Sequence, residues 1–164
     1  MKRSILLAMI VICGCTAPHY IWPQKDMGGY EINLVTEEKR VLIASRDSDF
    51  KRTLVKEITN AYEHKPVYVK IIGIENLENE DANQYSAVVL INTCMGWTVD
   101  VEVGSFLEKH GTLESIIVLT TSAGGDVKPE NEKWAVDAIS SASTLDRVQP
   151  LANDLIEKID RLIK

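Results

Sequence analysis

The sequence is poor in cysteine and in positive charge, and each scarcity excludes a class of protein. Three cysteines in 164 residues cannot hold together a disulfide-dense scaffold, so the core must come from apolar packing. Lys and Arg number 18 against 24 Asp and Glu, a net charge of −6, which removes the basic footprint of a nucleic-acid binder. Nucleic acid is therefore not an expected partner. The sequence also lacks a Gly-x-Ser-x-Gly elbow, a Walker loop, a His-Glu-x-x-His pair and a dinucleotide fingerprint. His19, His64 and His110 do not have the spacing of a zinc site. No catalytic residue and no metal ligand is assigned. What remains, 45% hydrophobic and 26% charged residues, is the composition of one soluble globular domain.

The first residues read as a processing segment. Lys2 and Arg3 precede an uncharged run from Ile5 to Cys13, followed by Gly14, Cys15, Thr16 and Ala17, which is the order of parts in a secretory signal peptide. The run is far shorter than the roughly 20 residues that cross a bilayer as a helix. Ile12-Cys13-Gly14-Cys15 resembles the lipobox of bacterial lipoproteins, with Cys13 where that family usually has a small residue. The resemblance implies cleavage after Gly14 and lipid on Cys15. It places the protein in the bacterial cell envelope, on the outer side of the inner membrane or on the outer membrane. A general signal peptide cut a few residues later is the alternative. Removing residues 1–14 takes away two positive charges and leaves −8, and a body without a Lys/Arg cluster offers anionic lipid nothing to attract. The membrane contact is then the lipid on Cys15. Residues 15–39 hold Pro18, Pro23, Gly28 and Gly29 without a sustained period and read as a tether. Residues 40–164 read as the folded domain.

In that domain, strand and helix patterns alternate. Val41 to Ala44 is a short apolar run of the kind buried on both faces of a parallel sheet. Phe50, Leu54, Ile58, Ala61 and Tyr62 recur at helical spacing, with Ser48 or Asp49 able to cap the first turn and Pro66 ending the region. Val67 to Ile72 and Ser86 to Ile91 give a second and a third strand, separated by a polar stretch expected as a loop or single turn. Thr98 to His110 matches both periods; we read it as a helix, with Gly111 as its C′ glycine. Ile116 to Thr120 is the fourth strand and Ala135 to Ile139 the fifth. Asp146 and Gln149 suggest a capping box for a last helix through Leu151, Leu155, Ile159 and Leu162. The alternation implies an α/β fold, a doubly wound five-stranded parallel sheet in the order 2-1-3-4-5. Its crevice lies between the first and third strands.

On these residues the chain from Arg40 to Lys164 resembles the flavodoxin-like superfamily. Val41-Leu42-Ile43-Ala44-Ser45 leads into a loop and helix as the flavodoxin phosphate segment does. Tyr85 to Trp97 resembles the third strand and its flavin-flanking loop, and Thr120 to Asp126 the loop beside the ring. If FMN is bound, the resemblance implies contacts from Ser45, Arg46 and Ser48 in the first loop. Asn92, Thr93, Gly96 and Trp97 would serve in the second, and Thr121, Ser122, Gly124 and Gly125 in the third. Flavodoxins hold the FMN phosphate with a Ser/Thr-x-Thr-Gly-x-Thr loop, whereas Ser45-Arg46-Asp47-Ser48-Asp49-Phe50 stands here. Asp47 replaces a hydroxyl, Ser48 the glycine and Phe50 the last hydroxyl, and two carboxylates repel a phosphate dianion. Asp47 and Asp49 have a simpler reading as caps of free helix N–H groups. Trp97 either stacks on a flavin ring or packs on the sheet edge. Cys94 is the thiol left once Cys15 carries lipid, without an adjacent His or Lys to activate it.

Two functional classes follow. One is a lipid-anchored, non-catalytic binding or interaction module with a degenerate phosphate loop and no expected cofactor. The other is an FMN-binding electron-transfer protein or flavin reductase of the envelope.

Overall fold

A computed structural model describes residues 24–94, 98–125 and 134–164. The strands are β1 (Tyr30–Ile32), β2 (Lys39–Ser45), β3 (Val67–Gly73), β4 (Ala87–Thr93), β5 (Ile116–Ser122) and β6 (Asp137–Ala142). The helices are α1 (Asp49–Tyr62), α2 (Val101–His110) and α3 (Val148–Leu162), with 3₁₀ segments at Ile74–Asn79, Ala82–Gln84 and Leu145–Arg147.

The sheet order is β1-β3-β2-β4-β5-β6, with β2 to β6 mutually parallel and β1 antiparallel to β3. The five parallel strands thus stand in the expected order, and the fold is flavodoxin-like. The chain moves from β2 outward to β3, then returns past β2 to β4. This reversal opens the crevice of a doubly wound sheet between the C-terminal ends of β2 and β4.

The near-continuous apolar strands follow from burial on both faces. Val41, Ile43, Val69, Ile71, Val89, Ile91, Ile117 and Leu119 face α1 and α3, whose apolar stripes include Leu54, Ile58, Leu155 and Ile159. Leu42, Ala44, Val88, Leu90, Ile116 and Val118 face α2 and the 3₁₀ segment, through Phe106, Leu107, Ile74 and Leu77.

Five expectations are corrected. The sheet has a sixth strand, contributed by the segment read as a tether. Its described residues, from Gln24 onward, pack on the domain. Tyr30, Glu31 and Ile32 pair with Ile71, Lys70 and Val69. Asn33, at φ 64, donates from Nδ2 to the carbonyls of Tyr62, Lys65 and Val67 and so closes the α1–β3 turn. A three-residue strand is too short to show a period, and an asparagine's tolerance of left-handed backbone is visible only with its partners in place.

Next, α2 starts at Val101, because the Asp100 side chain accepts from Glu102 N–H and caps it. Gly111 keeps right-handed backbone at φ −66. A Cβ there would stand 2.6 Å from the Trp134 ring, so close packing explains this glycine. The Asp146–Gln149 capping box does not form. A 3₁₀ turn leads into α3 without a side-chain cap, and Gln149 donates to Asn153 instead. Finally, the fifth strand begins at Asp137 and runs to Ala142, because its pairing with Ile117 to Ser122 outweighs the weak local pattern of Ile139-Ser140-Ser141.

Candidate functional site

The parallel strands end in polar residues at one edge of the sheet, and strand alternation sorts them onto two faces. Thr93, Thr121 and Ser141 lie in register on the α1/α3 side, and Asn92, Thr120 and Ser140 on the α2 side. Asn92 is fully buried. Its Nδ2 donates to the Leu119 carbonyl and to Thr120 Oγ1, both at 3.1 Å, while its Oδ1 accepts from Asp100 N–H at 3.3 Å. Thr121 Oγ1 donates to the Asn92 carbonyl at 3.0 Å. These groups tie the strand ends together.

Arg46 follows β2 directly and is only 2% exposed. Its Nε and Nη2 donate to the two oxygens of Asp100 at 2.7 and 3.0 Å, Nη2 also reaches Glu102 at 2.9 Å, and Nη1 reaches Asp26 at 2.7 Å. Glu75 approaches Nη1 at 3.6 Å. Burial alone would favour loss of the guanidinium proton, but the bonds to Asp100 and Asp26 outweigh it and hold the pKa above its usual value. Burial likewise opposes the Asp100 charge, and Arg46 overcomes it, so Asp100 titrates below the usual carboxylate range. Glu102 titrates above its usual value, first because it shares a hydrogen bond with Asp100 and then because of burial.

The loop after β2 is already paired with the chain's own N-terminal segment. Met27 N–H donates to the Ser45 carbonyl at 3.2 Å, and Asp47 N–H donates to the Lys25 carbonyl at 2.6 Å. Asp26 and Arg46 form an antiparallel bridge between these two hydrogen bonds. Asp26 Oδ2 also accepts from Glu75 N–H at 2.7 Å. Ser48 caps α1 by accepting from Lys51 N–H at 3.2 Å. Asp47 and Asp49 do not serve as caps here. Both pair with Arg52, and Asp47 also meets Lys25 at 3.2 Å. Lys25 and Arg52 outweigh the effect of burial on Asp47 and lower its pKa.

The candidate residues thus divide. Ser45 Oγ donates to the Arg46 carbonyl at 2.8 Å, and Ser122 Oγ accepts from Gly125 N–H at 2.8 Å. Gly124 is exposed beside it in the same turn. Gly125 has φ 74, and a Cβ there would lie 2.5 Å from Ala142 N. Phe50, placed where the family has its last hydroxyl, is a core residue. Gly96, Trp97 and Cys15 lie outside the described residues.

Sequence reasoning missed Lys51. It stands in the first turn of α1, is 2% exposed, and donates from Nζ to Thr93 Oγ1 at the end of β4. Burial pushes its pKa down to about 8. The signal was available, because Lys51 falls in the stripe formed with Leu54, Val55, Ile58 and Tyr62, all buried. A lysine in an apolar stripe sends its ammonium to a polar end. Asp26 carried no such signal, since its partner lies 20 residues away.

A cavity of about 310 Å³ lies between the 3₁₀ segment and α2, lined by Glu75, Leu77, Glu78, Glu102, Phe106 and His110 among others. It flanks the Arg46 cluster rather than the β2–β4 crevice. Among the described residues no group of side chains is arranged to hold a metal ion, and no helix is long and apolar enough to cross a membrane.

No protein-family model matches the chain, and no curated protein matches it. Three solved structures are similar in part. A flavodoxin from the domain Archaea is 12% identical over 74% of this chain and 99% of its own, with a TM-score of 0.47. An oxidoreductase from Corynebacterium diphtheriae is 11% identical over 77% of this chain and 93% of its own, at 0.43. An NADPH-quinone reductase from P. pentosaceus is 11% identical over 74% of this chain and 78% of its own, at 0.36. The flavodoxin-like fold stands on the strand order and register themselves.

Proposed function

We propose that the protein is a lipid-anchored member of the bacterial cell envelope whose flavodoxin-like domain is a non-catalytic binding or interaction module. The observation that carries this reading is the pairing of residues 25–27 with residues 45–47. A phosphate-binding loop works by offering unpaired N–H groups and hydroxyls at a helix N-terminus. Here Asp47 N–H is spent on Lys25, the Arg46 guanidinium on carboxylates, and Ser48 Oγ on its own helix. The loop does not fit an FMN phosphate.

One observation favours the alternative, an FMN-binding electron-transfer protein or flavin reductase. Lys51 puts a buried ammonium beside the β2–β4 crevice, where it would attract an anion. FMN titration of the purified mature protein, followed through flavin fluorescence, separates the two. No tight binding is expected, nor flavin absorbance near 370 and about 450 nm, the bands of the flavin itself. Tight binding that Lys51→Met abolishes would overturn the binding-module reading in favour of the alternative. The anchor is tested separately: Cys15→Ser should block lipidation and release the protein from membranes.

A further inference from the structure

We infer that the cavity between the 3₁₀ segment Ile74–Asn79 and α2 is a binding site for a small organic cation, a guanidinium or ammonium head on an apolar body. This gives the binding-module reading a ligand class and rests on it. The cavity measures about 310 Å³, and small ligands bind in such cavities where an apolar lining carries a few placed polar groups. Leu77 and Phe106, both almost fully buried, supply the apolar part. The Phe106 ring packs on His110, also in the lining, with ring centroids 4.6 Å apart. An aromatic face attracts a cation held against it.

The charge of the lining selects the ligand. Glu75, Glu78, Glu80 and Glu102 line the cavity, against Lys109. Glu80 is already neutralised, because Lys70 Nζ donates to it at 2.7 Å and the Tyr85 hydroxyl donates as well. Glu75 and Glu102 belong also to the Arg46 cluster, where a single guanidinium meets the carboxylates of Asp26, Glu75, Asp100 and Glu102. The Lys51 ammonium acts on Asp100 and Asp26 too, and with it counted the four carboxylates still outnumber the cations by two. The side chains of Arg46 and Asp100 are 3% and 1% exposed, so solvent screens this excess poorly. A cation in the cavity lies on the side of the cluster that Glu75 and Glu102 share with it, and supplies the missing charge. Glu102, crowded by Asp100, titrates above its usual value, and a cation beside it would bring it down. Among the described residues no group of side chains is arranged to hold a metal ion, and an apolar wall offers a metal no ligand, so the cation is organic. Lys109 in the lining disfavours a polyamine.

Butylguanidinium, its neutral isostere butylurea, and the peptide acetyl-Ala-Arg-Ala-amide are titrated into the purified protein at low salt by calorimetry, with the His110 ring protons followed by NMR. Butylguanidinium is expected to bind and to shift the His110 signals, and butylurea is not. Glu75→Gln combined with Glu78→Gln should weaken binding several-fold. Ser105→Trp, which puts an indole where an exposed serine lines the cavity, should abolish it. Glu63→Gln combined with Glu157→Gln removes as many exposed carboxylates beside α1 and α3, on the opposite face of the sheet, and should leave binding unchanged. Tighter binding by the peptide than by butylguanidinium assigns the site to a partner's arginine, and the reverse order to a free cation; both carry the inference. Butylurea binding as tightly as butylguanidinium, equal losses in the two double variants, or no binding of either cation overturns it. Each of these leaves the binding-module reading standing, because the FMN titration tests that reading separately.

Discussion

Arg46 and Asp100 stand 54 positions apart in sequence, and both Nε and Nη2 of the arginine close on the one carboxylate, at 2.7 and 3.0 Å. The pair fastens the loop after β2 to the start of α2 across the switch point, and both side chains are almost fully buried. Removing one partner leaves the other charged and unpaired, which costs about 3–5 kcal/mol for a buried pair. Arg46→Met should therefore lower stability by that order in urea unfolding. Because Asp26 and Glu102 also lose their partner, adding Asp100→Asn should recover only part of it. Full recovery would show that Asp26 and Glu102 contribute nothing through Arg46.

The N-terminal segment should contribute to stability. A chain beginning at Gln24 should unfold like the full mature form, whereas one beginning at Glu38 loses β1, the buried Met27, the Asn33 bonds and Asp26. Several kcal/mol of difference is expected between the two, read from denaturant midpoints at equal slope. Asp26→Ala alone should account for about 1–3 kcal/mol, the usual penalty for stranding buried polar partners.

Lys51 gives stability a pH dependence of definite sign. Its folded pKa of about 8 lies below the ordinary 10.5, so between these values the unfolded chain binds more protons and stability rises with pH. The full difference corresponds to about 3 kcal/mol. Lys51→Met should be flatter than the unaltered protein from pH 8 to 10.5. Parallel curves for the two proteins would show that the ammonium is solvated in the folded state.

Gly125 should not tolerate a side chain. Its φ of 74 and the 2.5 Å approach of a Cβ to Ala142 N put strain and a backbone clash at one position, and the strain alone costs about 1–3 kcal/mol. Gly125→Ala should lower the thermal midpoint by several degrees. Gly28→Ala, where nothing lies within 4 Å of a Cβ, is the control.

The parallel order was legible in the sequence because β2 to β5 are locally decided, whereas the bounds of β6 come from its pairing with β5. Val41 to Ala44 or Val88 to Ile91 can only be strands buried on both faces, and the helical stripe of α1 between them forces a crossover. The degenerate loop was legible too, because Asp47, Ser48 and Phe50 stand where the resemblance implies a hydroxyl, a glycine and a second hydroxyl. The contacts that fill the crevice were not. Asp26 reads as one polar residue among prolines and glycines, Asp100 as the solvated side of a helix, and Arg46 as a cation free to meet a phosphate. Periodicity reports which face of an element is apolar, and says nothing about which charged groups the fold brings together. Only the closure of the sheet places Asp26, Arg46, Asp100 and Glu102 within hydrogen-bond reach. There, removal from water makes each charge depend on the others.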